Sequence, residues 1–220
     1  MTGVQTCALP IFPNGVDVDF FEGEHENFPW RTELNIQSDD FVLLYAGIIG
    51  HAQGLEVIIG AAEILRDLSI KFLIVGDGPE KEKLMNMASG YELSNVHFLP
   101  NLEKSKIPSL IKASDAYIVP LKKLDLFKGA IPSKLFEPLS MGKPILLGVD
   151  GEAKELFIEE GKAGLYFEPE NAQSLADQIK ILLGDRNLTE SLGKQGQQYV
   201  KENFNRHNIH ERFLKNLLSV

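Results

Sequence analysis

Between Asp40 and Pro169, apolar runs of strand length alternate with stretches whose apolar residues recur at helical spacing, and Gly or Pro stands at many of the switches. No other feature restricts the fold as much. Repeated strand–helix–strand units close as right-handed crossovers, which build a parallel sheet with helices on both faces. FVLLYAG (Phe41 to Gly47) reads as a buried strand, LEVIIGAAEILRDL (Leu55 to Leu68) as a helix and IKFLIVG (Ile70 to Gly76) as the next strand. Pro79 followed by acidic residues suits a helix start, predicted over Pro79 to Ala88. The pattern continues with VHFLP (Val96 to Pro100), a helix around Ser105 to Ala113, AYIVPL (Ala116 to Leu121), PILLGV, a helix from Glu152 to about Glu160 and GLYFEP. Helices over Asn171 to Leu183, Leu188 to Glu202 and Arg206 to Leu218 complete it. The expected fold class is α/β: a doubly wound parallel sheet of Rossmann-like type with terminal helices.

Composition narrows the partners. The chain has 220 residues, 44% of them hydrophobic, enough for one good core or two small ones. With 22 basic against 31 acidic residues the formal charge is -9, which repels a phosphate backbone, and no Lys/Arg-dense arm offsets it. Nucleic acid is therefore not an expected partner. The apolar runs fall far short of the ~20 residues that cross a bilayer. The single Cys7 cannot form an internal disulfide, which suits a reducing cytoplasm. Residues 1–11, MTGVQTCALPI, have neither period and look like a translated sequencing adapter, so they are expected to be a foreign leader. A genuine disordered N-terminus is the alternative.

In open parallel sheets, ligands bind beyond the carboxyl ends of the strands, where turns lead into helix N-termini. That rule selects Gly47 to Gly54, Gly76-Asp77-Gly78-Pro79, Leu99-Pro100-Asn101 and Leu121 to Ser133. The glycines Gly47, Gly50 and Gly54 have the spacing G-x-x-G-x-x-x-G, not the dinucleotide fingerprint, and no Walker-type Lys-Ser/Thr follows. They read either as room for a diphosphate near backbone amides or as a tight turn. In VGDGP, Gly76 and Gly78 permit positive φ, and Asp77 can bond its own turn or a ligand hydroxyl. Five scattered histidines and one cysteine show no metal-ligand spacing, and neither a Gly-x-Ser-x-Gly elbow nor a Ser/His/Asp set emerges. Hence no metal or cofactor is expected. His207 and His210 read as surface residues, while His51 lies in a candidate ligand loop.

PSKLFE is the sharper motif. Ser133 is predicted as an N-cap, Lys134 as the first helical residue and Glu137 one turn on, facing a similar direction. A cation and bare amides at a helix mouth attract an anion, and a carboxylate one turn deeper can accept two bonds from a vicinal diol such as ribose. Phosphate with ribose points to a nucleotide; the plainer reading is a capped surface helix with a local Lys–Glu pair. Pro138 should kink the helix or delay its start. Lys122, Lys123 and Lys128 form a small basic cluster beside this mouth, either solvated or guiding an anionic donor.

PNGVD (Pro13 to Asp17), VGDGP, NVHFLP, ASDAYIVPL, PSKLFEPLSMGKPI, DGEAKEL, AGLYFEPEN and ENF together resemble the C-terminal half of retaining glycosyltransferases of the GT-B fold (family 4, group 1) over essentially all of Phe12 to Val220. PSKLFE with VDGEA and EPEN is most similar to the bacterial group that includes colanic-acid and O-antigen transferases, some described as fucosamine transferases. The resemblance implies that this half binds a nucleotide-sugar donor, expected to be a UDP-sugar, and that an N-terminal domain, expected here to be missing, binds a saccharide or lipid-linked acceptor. On that basis 12–39 is a residual interdomain segment, 40–203 the donor-binding domain and 204–220 a helix that crosses back to the other domain. The implied location is cytoplasmic, with the parent enzyme peripheral at the inner membrane. Glu137 resembles the second glutamate of the family's E-x7-E pattern, which holds the ribose, and Gly129 stands where the first, sugar-touching glutamate is usual. Ile48 and Gln53 stand where many relatives carry an Arg and a Lys on the diphosphate. Lys134, with amides near Gly50 and Ser133, is expected to supply that positive potential instead.

Lys134 and Glu137 therefore carry the expected catalytic roles, and Gly47, Gly50, His51, Gly76, Asp77, Gly78, Leu99, Pro132 and Ser133 complete the expected donor set. The implied reaction moves a sugar from a nucleoside diphosphate with retention, and this chain alone is expected to turn over nothing. Two rivals remain: a sugar-nucleotide 2-epimerase of the same architecture, and a non-enzymatic nucleotide-binding module. Titration with UDP, GDP and NAD separates the last from the others. The apolar residues Ile209, Phe213, Leu214 and Leu217 of the last helix need a cover, which predicts self-association if this domain does not provide it.

Overall fold

The structure, a computed structural model, describes residues 14–23, 25 and 28–218. Residues 1–11, with Cys7, lie outside the described residues, as do the side chains of 212 and 216–218. Two short helices come first, α1 (Val18–Glu22) and α2 (Trp30–Glu33). The alternating part follows: β1 (Phe41–Ala46), α3 (Glu56–Ile64), β2 (Ile70–Val75), α4 (Lys81–Gly90), β3 (Val96–Leu99), α5 (Ile107–Ala113) and β4 (Ala116–Pro120). Next come α6 (Phe136–Ser140), β5 (Ile145–Gly148), α7 (Glu152–Lys154), β6 (Gly164–Tyr166), α8 (Ala172–Gly184), α9 (Arg186–Asn203) and α10 (Arg206–Leu218). The six strands form one sheet in the order β3-β2-β1-β4-β5-β6, and every neighbouring pair is parallel.

Both faces of the sheet are buried because alternate residues of each strand enter different cores. Val42 and Leu44 of β1 join Leu110, Phe136 and Phe157 on one side. Phe41, Leu43 and Tyr45 join Ile58, Ile59, Leu175 and Ile179 of α3 and α8 on the other. Two boundaries differ from expectation for local reasons. Pro79 stands before α4 rather than within it, because the Glu80 amide is drawn across to the Ile49 carbonyl (3.1 Å) before the helix begins. After α7 the chain widens into a π-helical turn, Glu155–Glu160.

Residues ahead of β1 pack into the first core: Val16, Val18, Phe21, Trp30 and Ile36 are all buried there. Trp30 Nε1 donates to Ser109 Oγ (2.9 Å), and Arg31 donates to Asp115 Oδ2 (3.0 Å) and to the Ala113 carbonyl (3.1 Å). Val16 pairs with the entry to α10, its amide donating to Phe204 O (3.0 Å) and its carbonyl accepting from Arg206 N (2.9 Å). This domain thus covers the first apolar residue of α10: Ile209 is buried, where a Cβ on Gly15 would stand 2.7 Å from its Cδ1. Leu214 remains 55% exposed, and the Leu217 side chain lies outside the described residues.

Candidate functional site

The strand order reverses between β1 and β4, since β1 leads away toward β2 and β4 toward β5. In an open parallel sheet that is where a crevice forms beyond the strand ends. The β1–β4 pairing is short, Leu43↔Ala116 and Leu44↔Tyr117, and the Tyr117 hydroxyl satisfies the backbone beyond it, donating to Ala46 O (2.7 Å) and accepting from Ala46 N (3.0 Å). The crevice above has a volume of about 600 Å³. Its floor and one wall are Ala46, Gly47, Ile48 and Gln53; Leu121, Phe127, Ala130 to Lys134 and Glu137 form the second wall. Asn14 to Asp17, Lys104 and Arg206 close the third side.

The glycine turns after β1 and β2 are laced together by backbone. Gly47 N donates to Val75 O (2.9 Å) and Ile49 N to Asp77 O (2.8 Å). Gly76 has φ +138, and a Cβ there would lie 1.9 Å from the Gly47 carbonyl oxygen, so only glycine allows the two turns to meet. Gly76, Asp77 and Gly78 consequently support the β1 turn from behind, the Leu99 carbonyl holds the Gly76 amide (3.2 Å), and none of the four lines the crevice. Asp77 Oδ1 accepts from the Gly78 amide (2.8 Å), the turn-internal alternative for this residue. Gly50 and exposed His51 flank the lining residues, with His51 Nε2 3.0 Å from Lys122 Nζ. The amides of Ile48 and Gly50 donate to no acceptor among the described residues.

PSKLFE folds differently from the single capped helix expected. Ser133 begins a 3-10 turn, Ser133–Leu135, and α6 starts only at Phe136. Ser133 is exposed, and no side-chain bond caps the turn, so its predicted N-cap role does not hold. Pro138 explains the late start: as the third residue of α6, its missing N–H falls among the amides that have no intrahelical acceptor. Because α6 is short, Lys134 and individual amides, more than a helix dipole, set the local potential.

Lys134 and Glu137 both line the crevice and are half-buried. Among the described residues no ion pair joins them, which removes the local-pair reading. Lys134 Nζ instead donates to Tyr45 Oη (2.7 Å) and stands 4.2 Å from the centre of that ring. Burial pulls the Lys134 ammonium down to a pKa of about 8. Burial raises the Glu137 carboxyl above its ordinary value, with Lys104 opposing that rise. The expected basic cluster beside the mouth is largely neutralised, since Lys123 pairs with Glu168 (2.6 Å) and Lys128 with Asp125 (2.7 Å). The cations that line the crevice are Lys134, Lys104 and Arg206. Sequence reasoning missed the last two, which have no local signal, and Tyr45, whose polar ring tip in an otherwise apolar strand was the available clue. Around a Cβ built on Gly129 there is open space. Among the described residues, no group of three or more His, Cys, Asp or Glu could hold a metal ion, and no helix is long and apolar enough to cross a membrane.

Comparison with known proteins gives a consistent result. The fold superposes on Anabaena Alr3699/HepE, solved in complex with UDP and glucose, with a TM-score of 0.81 at 22% identity over 96% of this chain and 57% of that one. It also matches the C-terminal domain of a glycosyl transferase group 1 family protein (LpcC) from Francisella tularensis, TM-score 0.70 at 18% identity, covering 87% of this chain and 100% of that domain. A protein of Escherichia coli K12 named as a colanic acid biosynthesis glycosyl transferase, WcaI, is 28% identical over 98% of this chain and 53% of its own length. The chain spans about half the length of the curated relatives it matches. The sequence pattern described as "Glycosyl transferases group 1" matches residues 26–199, most of the sequence, and the chain belongs to that family.

Proposed function

We propose that the crevice binds the donor of a glycosyl transfer, a nucleoside diphosphate sugar and specifically a UDP-sugar, for bacterial surface polysaccharide synthesis with retention at the anomeric carbon. The observation that carries the reading is the pairing of a desolvated ammonium, Lys134, with a separate half-buried carboxylate, Glu137, in one crevice floored by the Gly47 turn. The diphosphate is assigned to Lys134 and the open amides of Ile48 and Gly50, and the ribose diol to Glu137. Negative charge builds on the diphosphate as its bond to the sugar breaks, and preorganised donors aimed at it stabilise that charge. In this reading Lys134 lowers the barrier and Glu137 positions the nucleotide. The acceptor, a saccharide or lipid-linked sugar, belongs to the part of the relatives that this chain does not match. The 220-residue chain is therefore proposed to bind donor without turning it over, and to do so without a metal.

Calorimetric titration with UDP, GDP and NAD tests this, with UDP expected to bind, NAD not, and chelation by EDTA to leave UDP affinity unchanged. Lys134→Ala should weaken UDP binding by ~1.5 to 3 kcal/mol, the worth of a charge-assisted bond. An unaltered affinity in that variant sinks the assignment.

A further inference from the structure

Tyr45 is 1% exposed at the end of a strand whose other residues are apolar, yet its hydroxyl makes two polar contacts at the crevice. It donates to the Ile48 carbonyl (2.5 Å) and accepts from Lys134 Nζ (2.7 Å). A phenol has one proton, and committing it to Ile48 leaves only lone pairs for the lysine, so the bond between the two side chains has a fixed direction. The ring meanwhile lies 4.2 Å beneath the ammonium, within cation–π range. A lysine on a flexible stem is thereby confined above the β1 turn, where a Cβ on Gly47 would stand 3.3 Å from Nζ. The peptide between Ile48 and Ile49 is held at both ends, its carbonyl by Tyr45 and its amide by Asp77 O (2.8 Å).

We propose that Tyr45 is a positioning residue of the site: its hydroxyl aims the Lys134 ammonium at the diphosphate and locks the neighbouring turn in the same contact. This rests on the donor-binding reading above. The other charged groups lining the crevice are Asp17, Lys104, Glu137 and Arg206, and among the described residues none is ion-paired with Lys134, so Tyr45 is its one hydrogen-bonding partner. Burial without a charged partner is what holds the Lys134 pKa down at about 8, and the loss of the phenol oxygen would lower it further.

The test is a double-mutant cycle on the whole chain, with UDP affinity measured for the wild type, Tyr45→Phe, Lys134→Ala and the double variant. Phe keeps the ring and its packing, and thermal melts check that each variant folds. Tyr45→Phe should weaken UDP binding about tenfold and add nothing once Lys134 is gone. The Lys134 side-chain resonance, followed by NMR, should titrate at lower pH in Tyr45→Phe. An equal loss with and without Lys134, or full affinity and an unmoved Lys134 titration in Tyr45→Phe, would overturn the proposal and leave Tyr45 a core residue. If Lys134→Ala binds UDP normally, the donor-binding reading fails and this proposal with it; if only Tyr45→Phe is silent, the donor reading survives and this proposal alone falls.

Discussion

Lys134 and Lys143 flank the same short helix, α6, and burial depresses both pKa values, yet their ammonium groups are finished differently. Lys143 Nζ donates to Ser114 O (2.6 Å) and Lys112 O (3.1 Å), open carbonyls at the end of α5, near the start of β4 and away from the crevice. It acts as a cationic cap on that helix. Lys134 has one hydroxyl partner and otherwise faces the crevice. Depth of burial does not separate the two lysines; the completeness of their hydrogen bonding does. A cation that has lost water without replacing it remains available to an anion.

Exchanging the two effects by mutation would break this comparison. Lys143→Met should lower the unfolding free energy by ~1 to 3 kcal/mol, because it strips the part-buried Ser114 carbonyl and the exposed Lys112 carbonyl of their charged donor, and should leave UDP affinity alone. Lys134→Ala should weaken UDP binding as stated and shift the urea midpoint little. If both variants melt alike and bind UDP alike, completeness of bonding is not the distinction.

A smaller effect appears in the pH profile. Lys134 with a pKa of about 8 is charged below that pH, and a bound diphosphate would favour the charged form, so UDP affinity should fall as pH rises through about 8. On the proposed reading Glu137, its pKa raised by burial, would accept both ribose hydroxyls best while ionised, so affinity should also fall on the acid side. Calorimetry across pH should find the alkaline limb missing in Lys134→Ala, the acid limb missing in Glu137→Gln and both retained in Lys143→Met. A flat profile in the wild type would remove both groups from binding.

The smallest expected change is at Gly129, where a side chain meets open space. Gly129→Glu should alter stability by no more than ~0.5 kcal/mol, as an unconstrained surface change does. Comparing donor sugars bound by this variant and the wild type then sharpens what Lys134 and Glu137 leave undecided, the choice of sugar. A large loss of stability would show that the position is packed after all.

Much of the fold is legible in the sequence. The pattern predicts β1 over Phe41 to Gly47 and the strand spans Phe41–Ala46; it starts a helix at Asn171, which is the N-cap of α8; and the predicted Arg206 to Leu218 helix is α10. Those signals are local, because periodicity and caps act within a few residues. Two local signals compete at PSKLFEP, Ser133 as an N-cap and Pro138 as a kink or late helix start; the late start holds, with α6 beginning at Phe136, and the 3-10 turn it leaves over Ser133–Leu135 removes the cap. Gly76 and Gly78 looked like ligand glycines, whereas their conformations serve the approach of one backbone turn to another.

The sequence by itself determined a parallel α/β sheet, its element order, the absence of a nucleic-acid-binding charge pattern and the presence of Lys134 and Glu137 near one strand end. Tertiary structure alone decided that Lys134 answers to Tyr45 and not to Glu137, that Lys104 and Arg206 join the crevice, and that Asp77 and Leu99 do not. The reason is physical: patterning fixes which face of each element is buried, but a contact between residues 45 and 134 exists only once β1 and β4 lie side by side and the loop after β4 folds back over the β1 turn.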